Sequence, residues 1–191
     1  MVRCRWCNVK NPLYIDYHDN EWGRLSTDES YLYEMLLLEC FQAGLSWECI
    51  LNKREGFRAA FDGFDPQRIA CYDDNKVEAL LQDAAIVRCE RKIRAAIQNA
   101  RVYLAIVEEF GGFFPYLLTF FPSHPIFETE RVTSAVSDAL SRDLRRRGMR
   151  YVGSVTVYSY LQAVGLIVSH DTTCYFYQGN ERKLIWNSPI S

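Results

Sequence analysis

The sequence predicts an all-α fold. Three observations lead there: apolar residues recur at helical spacing through most of the chain, strict apolar–polar alternation is nearly absent before the tail that follows Cys174, and helix-starting and helix-stopping residues bracket the periodic stretches. In chain order, residues 1–25 mix Pro12, Asp16, Asn20 and Gly23 with aromatics and read as an ordered irregular segment with short helical turns. Ser26 followed by Glu29 has the form of a capping box and opens a helix from near Asp28 to Phe41. A second helix starts near Ser46 and runs through Ile50, Leu51 and Phe57 towards Phe61. Asp65-Pro66 starts another, with proline at the first helical position, where no N–H is needed, and Asp74 to Leu81 forms a further short helix. Ile93, Ile97, Ala100, Leu104 and Val107 mark a long amphipathic helix that Gly111-Gly112 ends. Residues 113–132 carry two prolines and many aromatics and read as loop with some helix. Ser137 to Arg147 form a helix that stops at Gly148, and Met149 to Gly153 connect it to a last helix from Ser154 to near Val164.

No repeat, low-complexity tract or long linker interrupts the 191 residues, so the chain reads as one continuous fold over 1–191. Lys and Arg number 22 against 24 Asp and Glu, a net charge of −2, which excludes a uniformly basic surface but not a local basic face. With 49% hydrophobic residues, 24% charged residues and a mean hydropathy of −0.18, the composition is that of a soluble protein. The longest apolar runs, such as Met35 to Leu38, fall far short of the roughly 18 residues that cross a bilayer. The N-terminus, Met1 to Cys7, has no apolar core of the kind a secretory signal needs, so a cytosolic location is expected.

Three groups of residues carry candidate chemistry. The first is metal-like. The seven cysteines are odd in number and sit in a chain expected to stay reduced, which argues against a disulfide framework. Cys40, Cys49, Cys71 and Cys89 lie among apolar or helix-forming neighbours and read as core residues. Cys4 and His18 near one end, with His170 and Cys174 near the other, make a Cys2His2 set suited to a tetrahedral zinc ion. The i, i+4 spacing of His170 and Cys174 places both donors on one side of a helical turn. Such a site would tie the chain ends together across a long loop. Cys4-Arg5-Trp6-Cys7 is itself a CxxC pair, so spacing leaves open whether Cys4 or Cys7 is the ligand, and also leaves open a zinc or redox sensor. His124, beside Pro125, reads as a surface histidine.

The second group is aromatic plus acid. Trp6, Tyr14, Tyr17, Trp22 and Trp47 lie close in sequence to the segment Leu37-Leu38-Glu39-Cys40-Phe41. Glu39 sits inside an apolar run, where burial costs several kcal/mol, of order ~3, unless the carboxylate finds a donor or a cation. One reading is a carboxylate paired with an arginine in an ordinary aromatic core. The other is a box of aromatic faces and a carboxylate, suited to a flat cationic or electron-poor ligand.

The third group is the helix–turn–helix of residues 137–164. Its connection presents backbone N–H groups around Gly153 and Ser154 at a helix N-terminus, the arrangement that grips one phosphate of a nucleic-acid strand without reading bases. Residues 131–150 hold six Arg against two Asp, a local excess of +4, and residues 86–104 hold five basic residues against Glu90, again +4. A basic face can therefore coexist with the overall negative charge; the alternative is two solvated helix faces.

Taken together, these stretches resemble the 3-methyladenine DNA glycosylase I family over nearly the whole chain. The resemblance rests on Pro12-Leu13-Tyr14-Ile15-Asp16-Tyr17-His18-Asp19-Asn20-Glu21-Trp22-Gly23 and Gln42-Ala43-Gly44-Leu45-Ser46-Trp47, both long and specific. Gln82-Asp83-Ala84, Lys92-Ile93, Ser137 to Leu140, Tyr151-Val152-Gly153, Tyr158, Leu161-Gln162-Ala163 and the His170/Cys174 pair extend it. It implies an all-α fold of the helix–hairpin–helix DNA glycosylase superfamily, with two helical lobes flanking a base pocket and a structural Zn2+ held by Cys4, His18, His170 and Cys174. It further implies Glu39 as the key acid, Trp6, Tyr14, Tyr17 and Trp47 as the base-binding walls, and Gln42, Gly44 and Leu45 as the turn that fills the gap left by an extruded nucleotide. Arg150, Gly153 and Ser154 fall in the DNA-gripping hairpin. The implied activity is release of 3-methyladenine from alkylated double-stranded DNA by a monomeric, monofunctional enzyme, since no lysine sits in the matched pocket motifs.

The chain departs from the family pattern in places. Cys40-Phe41 stand where a glycine and a small or polar residue are usual, which is expected to add bulk beside the pocket and narrow the substrate range; this departure keeps open a damaged-DNA-binding protein with weak or no turnover. Ala85 and Val155 stand where Gly and Thr are expected. The superfamily's usual catalytic aspartate follows the hairpin, and the nearest candidate, Asp171, falls in the zinc-binding turn, where a structural role is expected.

Overall fold

The computed structural model describes residues 1–121 and 125–177; His124 and the tail from residue 178 lie outside the described residues. The architecture is mostly helical: ten α-helices and a single pair of two-residue strands occur among the described residues. The helices are α1 (Pro12–Asn20), α2 (Glu29–Gln42), α3 (Trp47–Leu51), α4 (Arg54–Ala60), α5 (Pro66–Ala70), α6 (Asp74–Gln82), α7 (Glu90–Phe110), α8 (Phe113–Leu118), α9 (Ala135–Arg146) and α10 (Ser154–Ala163).

Helix α2 is the centre of the structure. Every residue from Leu32 to Phe41 is buried, as expected of a helix that is apolar all round and surrounded by others. It opens differently from expectation. Asp28 is the N-cap, accepting from the Ser30 N–H at 3.0 Å, so Ser26 and Glu29 form no capping box. Glu29 instead reaches the start of α8, where its two oxygens accept from the Phe113 and Phe114 N–H groups, each at 2.9 Å, and from the Tyr103 hydroxyl at 2.8 Å. A carboxylate at a helix N-terminus satisfies donors that have no partner within the helix.

Three segments depart from the sequence reading. Residues 12–20 form a regular helix, with Asn11 as N-cap and Pro12 at its first position. The expected helix from Ser46 to Phe61 is two, because the chain turns between Leu51 and Arg54; the side chain of Ser46 caps the first. Helix α9 begins two residues before Ser137, because Ser134 is its N-cap and Ser137 closes the capping box as the third residue.

The strands Ile126–Phe127 (β1) and Ile167–Val168 (β2) pair in parallel, with Ile126 opposite Ile167. This short ladder moors residues 125–131 beside the segment leading to His170. Gly165 makes that approach possible. Its φ is +77°, and an added Cβ would lie 2.2 Å from the Arg24 carbonyl carbon and the Leu25 nitrogen. Here the Gly23 N–H donates to Gln162 O at 3.0 Å and the Ser26 N–H to Val164 O at 3.1 Å, locking the N-terminal segment against the end of α10.

Candidate functional site

The fold brings together the four residues furthest apart in the sequence reading. Cys4, His18, His170 and Cys174 are all buried, and one donor atom from each lies within 4.8 Å of all the others. Cys4 Sγ is 3.4 Å from His170 Nδ1, and Cys174 Sγ is 3.5 Å from His18 Nε2 and 3.6 Å from His170 Nδ1. The other ring nitrogen of His18 is turned outward to Asp19 Oδ1 at 2.8 Å, and Asp19 is itself gripped by the Arg3 guanidinium at 2.6–3.0 Å. That pairing turns Nε2 towards the cluster, where it accepts from the Cys4 N–H at 3.2 Å. The Asp171 N–H donates to Cys4 Sγ at 3.3 Å. Burial pushes the Cys4 thiol up to about 12 and the His170 imidazole down to about 4. A neutral imidazole is the form that binds a cation, and a cation would in turn deprotonate the thiols. The cluster can hold a metal ion.

The residues between His170 and Cys174 are not helical, contrary to the spacing argument. They form consecutive turns, with the Cys174 N–H bonded to Asp171 O at 2.8 Å, and these still converge both donors. Cys7 stands apart, its thiol pointing to the Tyr14 carbonyl at 3.6 Å, so of the CxxC pair it is Cys4 that joins the cluster.

Beside the cluster lies a cavity of about 320 Å³. Trp6, Tyr14, Tyr17, Trp47 and Glu39, the five residues expected to form a base pocket, all line it. Tyr17 and Trp47 have ring centroids 5.2 Å apart, and Trp6 contacts Tyr14 at 5.5 Å and Trp22 at 4.8 Å. The structure adds Trp22, Gln42, Ser159, Gln162, Ser169 and Asp171 to the lining, together with Glu130 and Arg131 from the segment moored by β1. Trp22 was visible in the sequence among the clustered aromatics. Ser159 and Ser169 left no signal, because nothing in local spacing brings them to the front of the chain, while Gln162 and Asp171 were singled out in the sequence but not as pocket residues. The Asp171 carboxylate accepts from the Arg5 N–H at 2.7 Å, lies 3.5 Å from the Arg5 guanidinium, and lines the cavity.

Helix α2 carries two buried glutamates with opposite surroundings. Glu34 is held by Arg54 at 2.6 Å and Arg58 at 2.8 Å, and Arg54 also grips Glu21. Glu39 is only 3% exposed, and its Oε2 has no hydrogen-bond partner among the described residues. The arginine-paired reading therefore belongs to Glu34. Burial alone raises Glu39 from 4.5 to about 8. An unpartnered buried carboxylate is costly unless something arrives to meet it. The indole Nε1 of Trp47 is likewise buried and unpartnered.

Cys40 and Phe41 do not narrow this cavity, contrary to expectation. Neither lines it. Phe41 is turned into the core against Phe57 and Phe61, with centroids at 4.7 and 5.5 Å, and Cys40 faces Asn99 on α7. The other departures have local explanations of different strength. Ala85 sits against Gly56, where a Cβ would come within 2.7 Å of the alanine methyl. Val155 is 56% exposed on the first turn of α10 and makes no contact that explains it.

Outside the cavity, Gln42 to Leu45 make a tight turn at the end of α2, closed by the Leu45 N–H on Gln42 O at 2.7 Å, with Gly44 at φ +80° and Leu45 exposed. The connection from α9 to α10 exposes Arg150 and Gly153. No side chain caps the start of α10, so its first N–H groups are available to an anion. The Ser154 hydroxyl is engaged with Ser137 at 2.9 Å and with Asp138, which leaves its backbone rather than its side chain for such a contact. The basic stretches are less open than their composition suggests. Arg147 binds Glu109 and Asp143, Arg94 binds Asp74 and Glu90, and Lys92 is buried.

Comparison with known proteins places this geometry among relatives. The sequence pattern of the methyladenine glycosylase family matches residues 6–178. The chain is 45% identical over 188 residues to DNA-3-methyladenine glycosylase 1 of Escherichia coli (strain K12), covering 95% of this chain and 100% of that one. Its backbone matches a crystal structure of 3-methyladenine DNA glycosylase I with a TM-score of 0.87 at 43% identity, covering 93% of this chain and 100% of the other. It matches a variant 3-methyladenine DNA glycosylase I in complex with 3-methyladenine with a TM-score of 0.86 at 31% identity, covering 92% and 97%.

Proposed function

The chain belongs to the methyladenine glycosylase family, and from that premise we propose that it excises 3-methyladenine from alkylated duplex DNA. The observation that carries this reading is the buried, unpartnered Glu39 carboxylate facing an aromatic cavity of about 320 Å³. An adenine methylated at N3 is positively charged while it remains attached to the sugar. Stacking on the aromatic faces and attraction to Glu39 reward that charge, which normal adenine lacks. Glu39 accepts hydrogen bonds from the exocyclic amine. The glycosidic bond then breaks with its electron pair passing to the base, which leaves neutral, and water bonds to the sugar carbon and gives up a proton. The charged base is already a good leaving group, so modest stabilisation suffices for selectivity. No lysine among the described residues lines the cavity, and we read the enzyme as hydrolytic, without strand cleavage.

The proposal extends to DNA. The target nucleotide must leave the helix, at a cost of a few kcal/mol, of order ~3, that is smaller for a damaged base. Gln42, Gly44 and Leu45 fill the gap. Helix α9, the connection through Arg150 and Gly153, and helix α10 act as a helix–hairpin–helix grip on one phosphate, through the backbone N–H groups at Gly153 and Ser154. We read the chain as one glycosylase domain of two helical lobes, acting as a monomer. No helix among the described residues is long and apolar enough to cross a membrane.

Zn2+ fits the buried cluster. Bonds of about 2.3 Å to sulfur and about 2.1 Å to nitrogen in a tetrahedron separate the two donor types by about 3.6 Å. Three of the four sulfur–nitrogen distances, at 3.4, 3.5 and 3.6 Å, match that value, and all donors lie within 4.8 Å of one another. Cys4, His18, His170 and Cys174 would hold the ion, which would serve as a structural staple between the two ends of the chain.

The test is chromatographic release of free 3-methyladenine from alkylated duplex DNA by wild type and by Glu39→Gln. Release by wild type and much less by the folded variant supports the proposal. Saturable binding of damaged DNA by folded wild type without release would overturn it in favour of a binding protein.

A further inference from the structure

Lys92 is an anomaly among the basic residues. It lies in the first turn of α7, only 9% exposed, and its ammonium makes no ion pair among the described residues. Its Nζ donates instead to two backbone carbonyls, Phe41 O at 2.6 Å and Ala43 O at 2.7 Å. These carbonyls belong to the end of α2, two residues past Glu39, and to the turn that ends in Leu45. Helix α2 ends without a backbone bond at its C-cap residue Ala43, whose ψ of 114° has already left the helix. A buried cation on the last carbonyls takes that role and suits the negative end of the helix dipole.

The same helix holds the second element proposed to contact DNA. Asn99, two turns beyond Lys92 on the same face of α7, accepts from the Arg150 N–H at 2.8 Å and donates to Arg150 O at 2.9 Å. This two-point grip fixes the connection next to Tyr151, which adopts the strained φ of +58°. The Tyr151 ring lies 5.8 Å from Lys92 Nζ. A single rigid helix therefore grips the gap-filling turn with one side chain and the phosphate-binding connection with another.

We infer that Lys92 is a positioning residue for base extrusion. With Asn99 it sets the spacing between the turn at Gln42–Leu45 and the connection at Arg150–Gly153, so that seating the duplex on one presents the other at the lesion. Lys92 touches neither the cavity nor the reacting atoms. Its contribution is to the extrusion step, which a free base does not require. This inference rests on the proposed glycosylase activity.

The experiment uses Lys92→Met, which keeps the aliphatic stem and removes the donors, and Lys92→Arg, which keeps a charged donor. Two quantities are measured for each: single-turnover release of 3-methyladenine from alkylated duplex DNA, and affinity for free 3-methyladenine by tryptophan fluorescence. The expected result for Lys92→Met is release slowed about 10- to 100-fold, the scale of a small misplacement, with free-base affinity unchanged and partial recovery in Lys92→Arg. Wild-type release by Lys92→Met, or an equal loss of release and free-base affinity, overturns the inference. If Lys92→Met does not fold, Lys92→Arg alone decides: slowed release with full free-base affinity supports the inference, and full release or an equal loss of both overturns it. Absence of release by wild type would instead overturn the glycosylase reading itself.

Discussion

The indole of Trp22 stands edge-on to the imidazole of His170, with ring centroids 4.7 Å apart and planes at 87°. Trp6 packs against His18 at 5.2 Å, with its plane tilted by 55°. Both indoles line the cavity with their other edges. One wall of the pocket is thus the outer layer of the Cys/His cluster. The cluster proposed to staple the chain ends and the surface proposed to receive the base share a single layer of aromatic rings.

Cys174→Ser should therefore do more than lose metal. A closed four-ligand site contributes folding free energy directly, and removing a thiolate ligand should lower stability by several kcal/mol, of order ~3. Because Trp22 and Trp6 rest on the two imidazoles, affinity for free 3-methyladenine should fall with metal content. Cys7→Ser removes only a weak sulfur contact to the Tyr14 carbonyl and should retain full metal. Elemental analysis and thermal melts of the two variants check this. Metal retained in Cys174→Ser and lost in Cys7→Ser would reverse the ligand assignment.

Glu39→Gln should make the protein more stable and less active. Burial raises the carboxyl from 4.5 to about 8, so the folded state holds a proton that the unfolded chain releases above its ordinary value. The stability this provides is complete below pH ~4.5 and is lost as pH rises towards 8, where the charged form is buried without a partner. The melting temperature of wild type should fall relative to Glu39→Gln across that window, with the variant more stable by about 1–3 kcal/mol near pH 8. Activity should run the other way, because attraction to a cationic base needs the ionised form. Release at low substrate should rise with pH towards 8 in wild type and stay flat and low in the variant.

Those two glutamates on α2 also mark the limit of sequence reading. Glu34 and Glu39 both interrupt an apolar run, and nothing local distinguishes them. The difference lies in Arg54 and Arg58, which reach back from a different helix to Glu34 alone. The cluster of Cys4, His18, His170 and Cys174 was legible because soft donors in pairs are rare and each pair is close in sequence. The walls of the pocket were legible where aromatics crowd near one another, and illegible for Ser159 and Ser169, which the fold alone delivers. Lys92 misled in the opposite direction, as composition counted it towards a basic face while the structure buries it against two carbonyls.

Leu45→Ala should separate stability from extrusion. The side chain is 38% exposed at the tip of a closed turn, so its loss should change stability by no more than about 0.5 kcal/mol. If the turn occupies the space of the extruded nucleotide, release from duplex DNA should fall about tenfold, the equivalent of about 1.4 kcal/mol in the barrier. Free-base affinity should be unchanged. A variant with wild-type release would remove Leu45 from the proposed gap-filling element.

Two glycines with nearly the same backbone angle should respond oppositely to alanine. Gly165 has φ +77° and Gly44 has φ +80°, so each substitution carries a backbone penalty of about 1 kcal/mol. At Gly44 nothing lies within 4 Å of an added Cβ, so Gly44→Ala should fold with little more than that loss. At Gly165 the Cβ would fall 2.2 Å from the Arg24 and Leu25 backbone, which cannot yield without parting the N-terminal segment from α10. That segment leads back to His18, while β2, just beyond Gly165, leads on to His170. Gly165→Ala should therefore cost more than about 3 kcal/mol and reduce bound metal although no ligand has changed. Denaturant melts with metal analysis decide the matter: equal small losses in both variants would mean that the two segments can separate without disturbing the cluster.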